Sequence, residues 1–94
     1  MQFEWDDAKS KATRKDRGFG FEEAAGVFLD PCRFTFPDER NDYGEPRWVT
    51  FGEIEGRLFA VAYTMRGDTI RIISARKANA RERRRYDDNK EIQA

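Results

Sequence analysis

Ninety-four residues with 38% hydrophobic content, eight Phe, two Trp and three Tyr suffice for one domain with one core, which excludes disorder along the whole chain. No apolar run approaches the ~18 residues of a membrane span, the lone Cys32 has no intrachain disulfide partner, and histidine is absent, which removes the usual general base and the commonest metal ligand. The net charge of zero hides a division: residues 1–56 carry thirteen acids and eight bases (−5), residues 57–94 five acids and ten bases (+5). Unless the halves neutralise each other across the fold, the second half offers a basic face suited to phosphate or to an acidic partner.

The opening MQFEWDD is acidic and aromatic, not basic and then apolar, so it is not laid out as a signal peptide. With the single cysteine, this points to a reducing cytoplasm and no membrane. QFEW alternates Phe3 and Trp5 with polar neighbours and reads as a short strand or a hydrophobic anchor. Asp6 is an N-cap for a helix to about residue 16, with Asp7 in its first turn and only Ala8 and Ala12 as an apolar stripe. Phe21, Ala24, Ala25, Phe28 and Leu29 then fall on one face of a second helix over about residues 22–29, which Asp30-Pro31 stops.

From Cys32 the period becomes two. CRFTF puts Cys32, Phe34 and Phe36 on one side, the polar PDERNDYGEP makes a long loop, and RWVTFGEI, LFAVAYT and TIRIIS follow as strands. Their short turns, Glu55-Gly56 and Met65-Arg66-Gly67-Asp68, require antiparallel neighbours. An Ala/Arg/Glu-rich helix over about 77–88 closes the chain, with a frayed tail at 87–94. The expected architecture is a single α+β domain over 1–94: two N-terminal helices packed on an antiparallel sheet of about four strands, followed by a C-terminal helix.

Seven of the sixteen residues in RIISARKANARERRRY (71–86) are basic. Alternation through TIRIISAR puts Ile70, Ile72, Ser74 and Arg76 on one side, so Arg76 stands where the strand ends, able to present a planar charged fork to a phosphate or to pair with Glu45 or Glu82. Arg81, Arg83, Arg84 and Arg85 spread around a helix and read mainly as a solvated face with general attraction for polyanions. No Asp/Glu cluster at ligand spacing and no Gly-rich phosphate loop is present, and the carboxylates of DPC and PDERND read as turn chemistry.

FEWD (3–6), FEEAAGVFLDP (21–31), GEPRWVTFG (44–52), AYTMRGDTIRIISARKA (60–78) and ERRRY (82–86) together resemble the BrnT family of ribonuclease toxins from bacterial toxin–antitoxin pairs. The resemblance implies a RelE-like fold, RNA cleavage and a ribbon-helix-helix antitoxin, BrnA, with which the toxin represses its own operon through operator DNA. Carried onto this sequence, the family's recurrent positions are Trp5, Glu45, Arg47, Arg66, Arg71, Arg76, Lys77 and Glu82. One departure stands out: relatives carry Asn and then Lys-His near the end of the first helix, where this chain has Thr13, Asp16 and Arg17, leaving Arg17 or Lys15 to fill the histidine's place.

The implied chemistry is metal-independent and needs no cofactor: a 2′-hydroxyl attacks the adjacent phosphorus of mRNA. Arg76 with Arg47 or Arg66 would stabilise the phosphorane, and Glu45 or Glu82 would be the base unless it merely orients an arginine. A lysine or Tyr63 is the other option for the proton. Arg71, Lys77, Arg81, Arg84, Lys15 and Arg17 would hold the RNA strand. The alternative is a non-catalytic or degenerate toxin whose basic face docks an antitoxin or a DNA complex.

Overall fold

In the computed structural model, which describes residues 1–93, Asp6 caps the first helix as its side chain predicts: Oδ1 accepts from the N–H of Ala8 at 2.9 Å and of Lys9 at 3.2 Å. The elements are β1 (Gln2–Glu4), α1 (Asp7–Arg17), α2 (Phe21–Ala24) continued by a 3₁₀ turn (Ala25–Leu29), β2 (Phe34–Pro37), β3 (Trp48–Ile54), β4 (Arg57–Arg66), β5 (Thr69–Lys77) and α3 (Ala80–Gln93).

The second helix differs from its expected form. It tightens to three residues per turn after Ala24, so Phe21, Ala24 and Val27 line up on the sheet while Leu29 swings out to 82% exposure. Gly52 of β3 makes this close approach possible: a Cβ there would lie 2.7 Å from Val27 Cβ and 2.9 Å from its carbonyl oxygen.

The sheet has five strands in the order β1-β5-β4-β3-β2, and it is mixed, not the all-antiparallel sheet of about four strands expected from the turns. β2 to β5 do run antiparallel, and Glu55 and Gly56, at φ 52° and 81°, form the tight hairpin turn between β3 and β4. β1 adds to the free edge of β5 in parallel, with Phe3 opposite Ile70. Helices separate β1 from the later strands, so no turn constrains its direction. The edge of β5 is the place where Phe3 reaches the core.

One face of the sheet carries α1 and α2, with Phe21, Val27 and Phe28 packed on Phe59, Val61 and Ile72. On the other face α3 covers Phe51 and Leu58 through the fully buried Tyr86. The Tyr86 hydroxyl donates to Asp30 Oδ2 at 2.6 Å, tying α3 to the end of the 3₁₀ turn. Burial pushes the Asp30 carboxyl up, but the N–H of Glu53, the Tyr86 hydroxyl and the N–H of Cys32 together hold it below the usual range. Burial and the neighbouring Asp30 raise the Tyr86 hydroxyl in turn. The stretch 87–93, expected to fray, continues α3; only Ala94 lies outside the described residues.

Candidate active site

Strand β5 does not alternate as its sequence suggests. Ile72 pairs with Tyr63, but Ser74 pairs with Ala62, so Ile73 is an extra residue opposite the Ala62/Tyr63 step. This β-bulge reverses the parity of everything after it. Ile70 and Ile72 face the helices, whereas Ser74 and Arg76 turn to the opposite face, correcting the expectation that all four share one side. The consequence is a guanidinium delivered to the open part of the sheet.

There Arg76 meets Glu82 in a two-point ion pair, Nη1 to Oε1 and Nη2 to Oε2, each at 2.7 Å. Glu82 is also the third residue of α3 and completes a capping box: its N–H donates to Asn79 Oδ1 at 2.9 Å, and its Oε1 accepts from the Asn79 N–H at 2.9 Å. The hydrogen bond from Arg76 holds the Glu82 carboxyl below the usual range, and Glu82 in turn raises Arg76. Glu82 is thus an ionised anchor with both carboxylate oxygens engaged, Oε1 by Arg76 and Asn79 and Oε2 by Arg76. The guanidinium it holds keeps 41% side-chain exposure, fixed and still accessible.

Across the cleft, the buried Asp38 accepts from Arg40 Nε and Nη2, both at 2.8 Å, and this pairing lowers its pKa. The Arg40 charge is near enough to oppose that of Arg76. Arg85 lies 4.8 Å from the ring centre of Phe36 and 5.2 Å from that of Phe34. Three guanidiniums therefore rim a cleft of about 320 Å³. Asn79, Asp38, Arg40 and Arg85 are absent from the site residues the sequence singles out. For Asn79 a signal exists, the Asn-x-x-Glu spacing before a helix. Asp38 and Arg40 sit in a loop whose path no local pattern specifies.

The remaining candidates do not converge on Arg76. Glu45 and Arg47 pair at 3.5 Å in an adjoining recess that shares Pro37, Asp38 and Glu39 with the cleft. Arg47 lies 3.9 Å over the Tyr43 ring, and its buried Nε has no hydrogen-bond partner. Arg66 is exposed at the far end of the β4–β5 hairpin. Since Ala60 opposes Arg76, six residues of strand, or about 20 Å, separate Arg66 from Arg76. Arg71 sits beside Glu4 at 3.8 Å. Lys77 opposes Phe59, on the helix side of the sheet.

Lys15 and Arg17 are exposed in the last turn of α1, across the sheet from Arg76, so neither stands in the cleft as a replacement for a histidine. Arg81 and Arg84 are exposed on α3. Tyr63 packs between Phe28 and Trp48 on the helix face, where burial raises its pKa. Among the described residues no group of His, Cys, Asp and Glu is placed to hold a metal, and no helix is long and apolar enough to cross a membrane.

A family model described as the ribonuclease toxin BrnT of type II toxin–antitoxin systems matches residues 5–82. The chain belongs to the BrnT family. No curated protein matches it. The BrnT match runs from Trp5 to Glu82, so both members of the Arg76–Glu82 pair lie inside it while Arg85 and Tyr86 lie beyond its end. Family membership makes the chain a ribonuclease toxin with an antitoxin partner and RNA as substrate.

Proposed function

We propose that the protein is a metal-independent endoribonuclease that cuts mRNA in the cytoplasm, arrests growth, and is neutralised by a BrnA-like ribbon-helix-helix antitoxin. Together the two would repress their operon by binding operator DNA. The observation that carries the catalytic part is the guanidinium of Arg76, fixed by Glu82 at the mouth of an open cleft. Electrostatic stabilisation of a transition state requires a charge set in place before the reaction begins, and this one is.

In the proposed step the 2′-oxygen attacks phosphorus and the bond to the 5′-oxygen breaks. The products are a 2′,3′-cyclic phosphate and a free 5′-hydroxyl. Arg76 stabilises the charge on the phosphorane. Arg47 lies one recess along the strand path, beside Glu45. Glu82 is a positioning residue, because its oxygens are committed to Arg76 and Asn79. Glu45, which accepts only from Arg47 among the described residues, takes the 2′-hydroxyl proton, which requires the RNA to run from the cleft into the adjoining recess; the 5′-oxygen takes a proton from solvent as it leaves. Arg66, Arg71, Lys77, Arg81, Arg84, Lys15 and Arg17 attract RNA without touching the scissile phosphate.

Expression without antitoxin tests this, with growth and RNA 5′ ends followed for wild type and for Arg76→Ala. Growth arrest with new 5′-hydroxyl ends, reduced about 10²–10³-fold in a folded Arg76→Ala protein, is the expected result. Intact RNA from folded wild type would show a binding module in place of a nuclease.

A further inference from the structure

The floor of the cleft is unusually low. Ala60, Ala62 and Ser74 occupy neighbouring cross-strand positions on β4 and β5, where Ala62 opposes Ser74 and Ala60 opposes Arg76. Strand positions favour β-branched and aromatic residues, and any of these would fill the space. On the helix face of the same strand, Phe59, Val61 and Tyr63 are large, so the small residues are confined to the cleft side. Phe36, Val49 and Phe51 form the apolar wall, and Tyr86 marks the limit of the cover from α3.

The rim is polar. Besides the three guanidiniums it carries Glu39, whose carboxylate makes no ion pair or hydrogen bond among the described residues. A flat apolar floor, an accessible acceptor at the edge and a fixed guanidinium alongside match the parts of one nucleotide: base faces, base-edge N–H donors and phosphate. The volume of about 320 Å³ is at the small end for a ligand site, suited to a single unit and not to a stacked run.

We propose that this cleft is a slot for one unstacked nucleobase of the RNA, seated on Ala62, with the buried Ala60 beneath it, while its phosphate lies against Arg76. Ala62 sets the depth of the slot, and Glu39 accepts from the edge of the base. The inference rests on the ribonuclease reading for its ligand class, but it adds a recognition element that cleavage alone does not require.

The test measures binding of the four nucleoside 3′-monophosphates and of orthophosphate to the full chain by NMR titration, for wild type, Ala62→Leu and Ala62→Val. Ala62 is only half-buried, so either side chain grows into open space and not into the core. Wild type should bind at least one nucleotide tenfold or more tighter than orthophosphate. Both variants should lower that nucleotide to the orthophosphate level and leave orthophosphate unchanged. Nucleotides that bind wild type no tighter than orthophosphate, or that bind a folded variant as tightly as wild type, would overturn the slot. The two proposals fail separately. RNA cleavage dependent on Arg76 but with no contribution from the base sinks the slot alone. Nucleotide binding lost in Ala62→Leu, by a protein that leaves RNA intact, sinks the ribonuclease reading alone.

Discussion

Replacing Glu82 with Gln separates the two duties this residue performs. Glutamine serves at the third helical position of a capping box, so the reciprocal bonds with Asn79 survive. The two-point ion pair at 2.7 Å does not survive, because the charge and one acceptor are gone. Hydrogen bonds to charged groups contribute about 1.5–3 kcal/mol when buried, whereas exposed pairs contribute about 0–1 kcal/mol. Glu82 is only 14% exposed but Arg76 is 41% exposed, which puts the loss near 1 kcal/mol, or roughly 4–8 °C in Tm for a domain of this size. Glu82→Ala, which also removes half of the cap, should lose about 2 kcal/mol. Freed from its anchor, Arg76 must be reoriented in every turnover. With a short fluorogenic RNA, kcat of Glu82→Gln should fall about tenfold with KM little changed, a smaller loss than the 10²–10³-fold expected for Arg76→Ala. An unchanged kcat beside a lowered Tm would refute the positioning role. A kcat as low as that of Arg76→Ala, together with loss of the acidic limb of the pH–rate profile, would show Glu82 to be the base.

Gly52→Ala drives a methyl against Val27 backbone that cannot swing aside, and should cost about 2–3 kcal/mol by chemical denaturation; a change under ~0.5 kcal/mol would mean that the 3₁₀ turn yields. Tyr86→Phe removes the 2.6 Å donor to Asp30 but leaves that carboxylate its two backbone N–H partners, so a loss of about 1.5–2 kcal/mol is expected, with the ring packing intact. Asp30, Asp38 and Glu82 all have folded pKa values held below their unfolded ones, so their stabilisation is complete above the ordinary carboxylate range of about 3.9–4.3 and is lost as the pH falls below that range through the folded values. With no histidine in the chain, the denaturation midpoint should be flat between about pH 5.5 and 8 and drop below about pH 4; a slope between pH 6 and 7 would contradict this.

Much of the fold is legible in the sequence because its signals are local. Asp6 as a cap, Glu55-Gly56 as a turn and the alternation of Phe34 and Phe36 each act within a few residues, and the structure uses each one so, although the strand begins at Phe34 and leaves Cys32 in the preceding turn. The features missed are those set by partners distant in the chain. Phe3 could have been an anchor or a strand; only the free edge of β5, about seventy residues on, decides. Ile73 looks like any other strand residue, and its extra length shows only against the Ala62–Tyr63 step of β4. That one bulge decides which face receives Arg76, so the alternation that serves elsewhere misleads at the residue of most interest. Asp38 and Arg40 meet the cleft because a loop, held by the Asp38 N–H donating to the Arg47 carbonyl at 2.8 Å, folds back over the sheet.

Tyr86 is the one buried residue of α3 among those described, and this has a dynamic consequence. From Ala80 to Ile92 only Tyr86 is buried, while the rest of the helix is held by polar contacts: Glu82 with Arg76, Arg83 with Glu53 and Asp87, and Arg85 over Phe34 and Phe36. A segment so fastened opens at a fraction of the global unfolding free energy. Its amides should therefore exchange with solvent well before those of β4 and β5, all from one cooperative event: release of the Tyr86 ring. Each release would bare Phe51 and Leu58 and, with Glu82 in the first turn of the moving helix, loosen Arg76. The lifetime of the docked helix thereby sets how long the arginine stays poised.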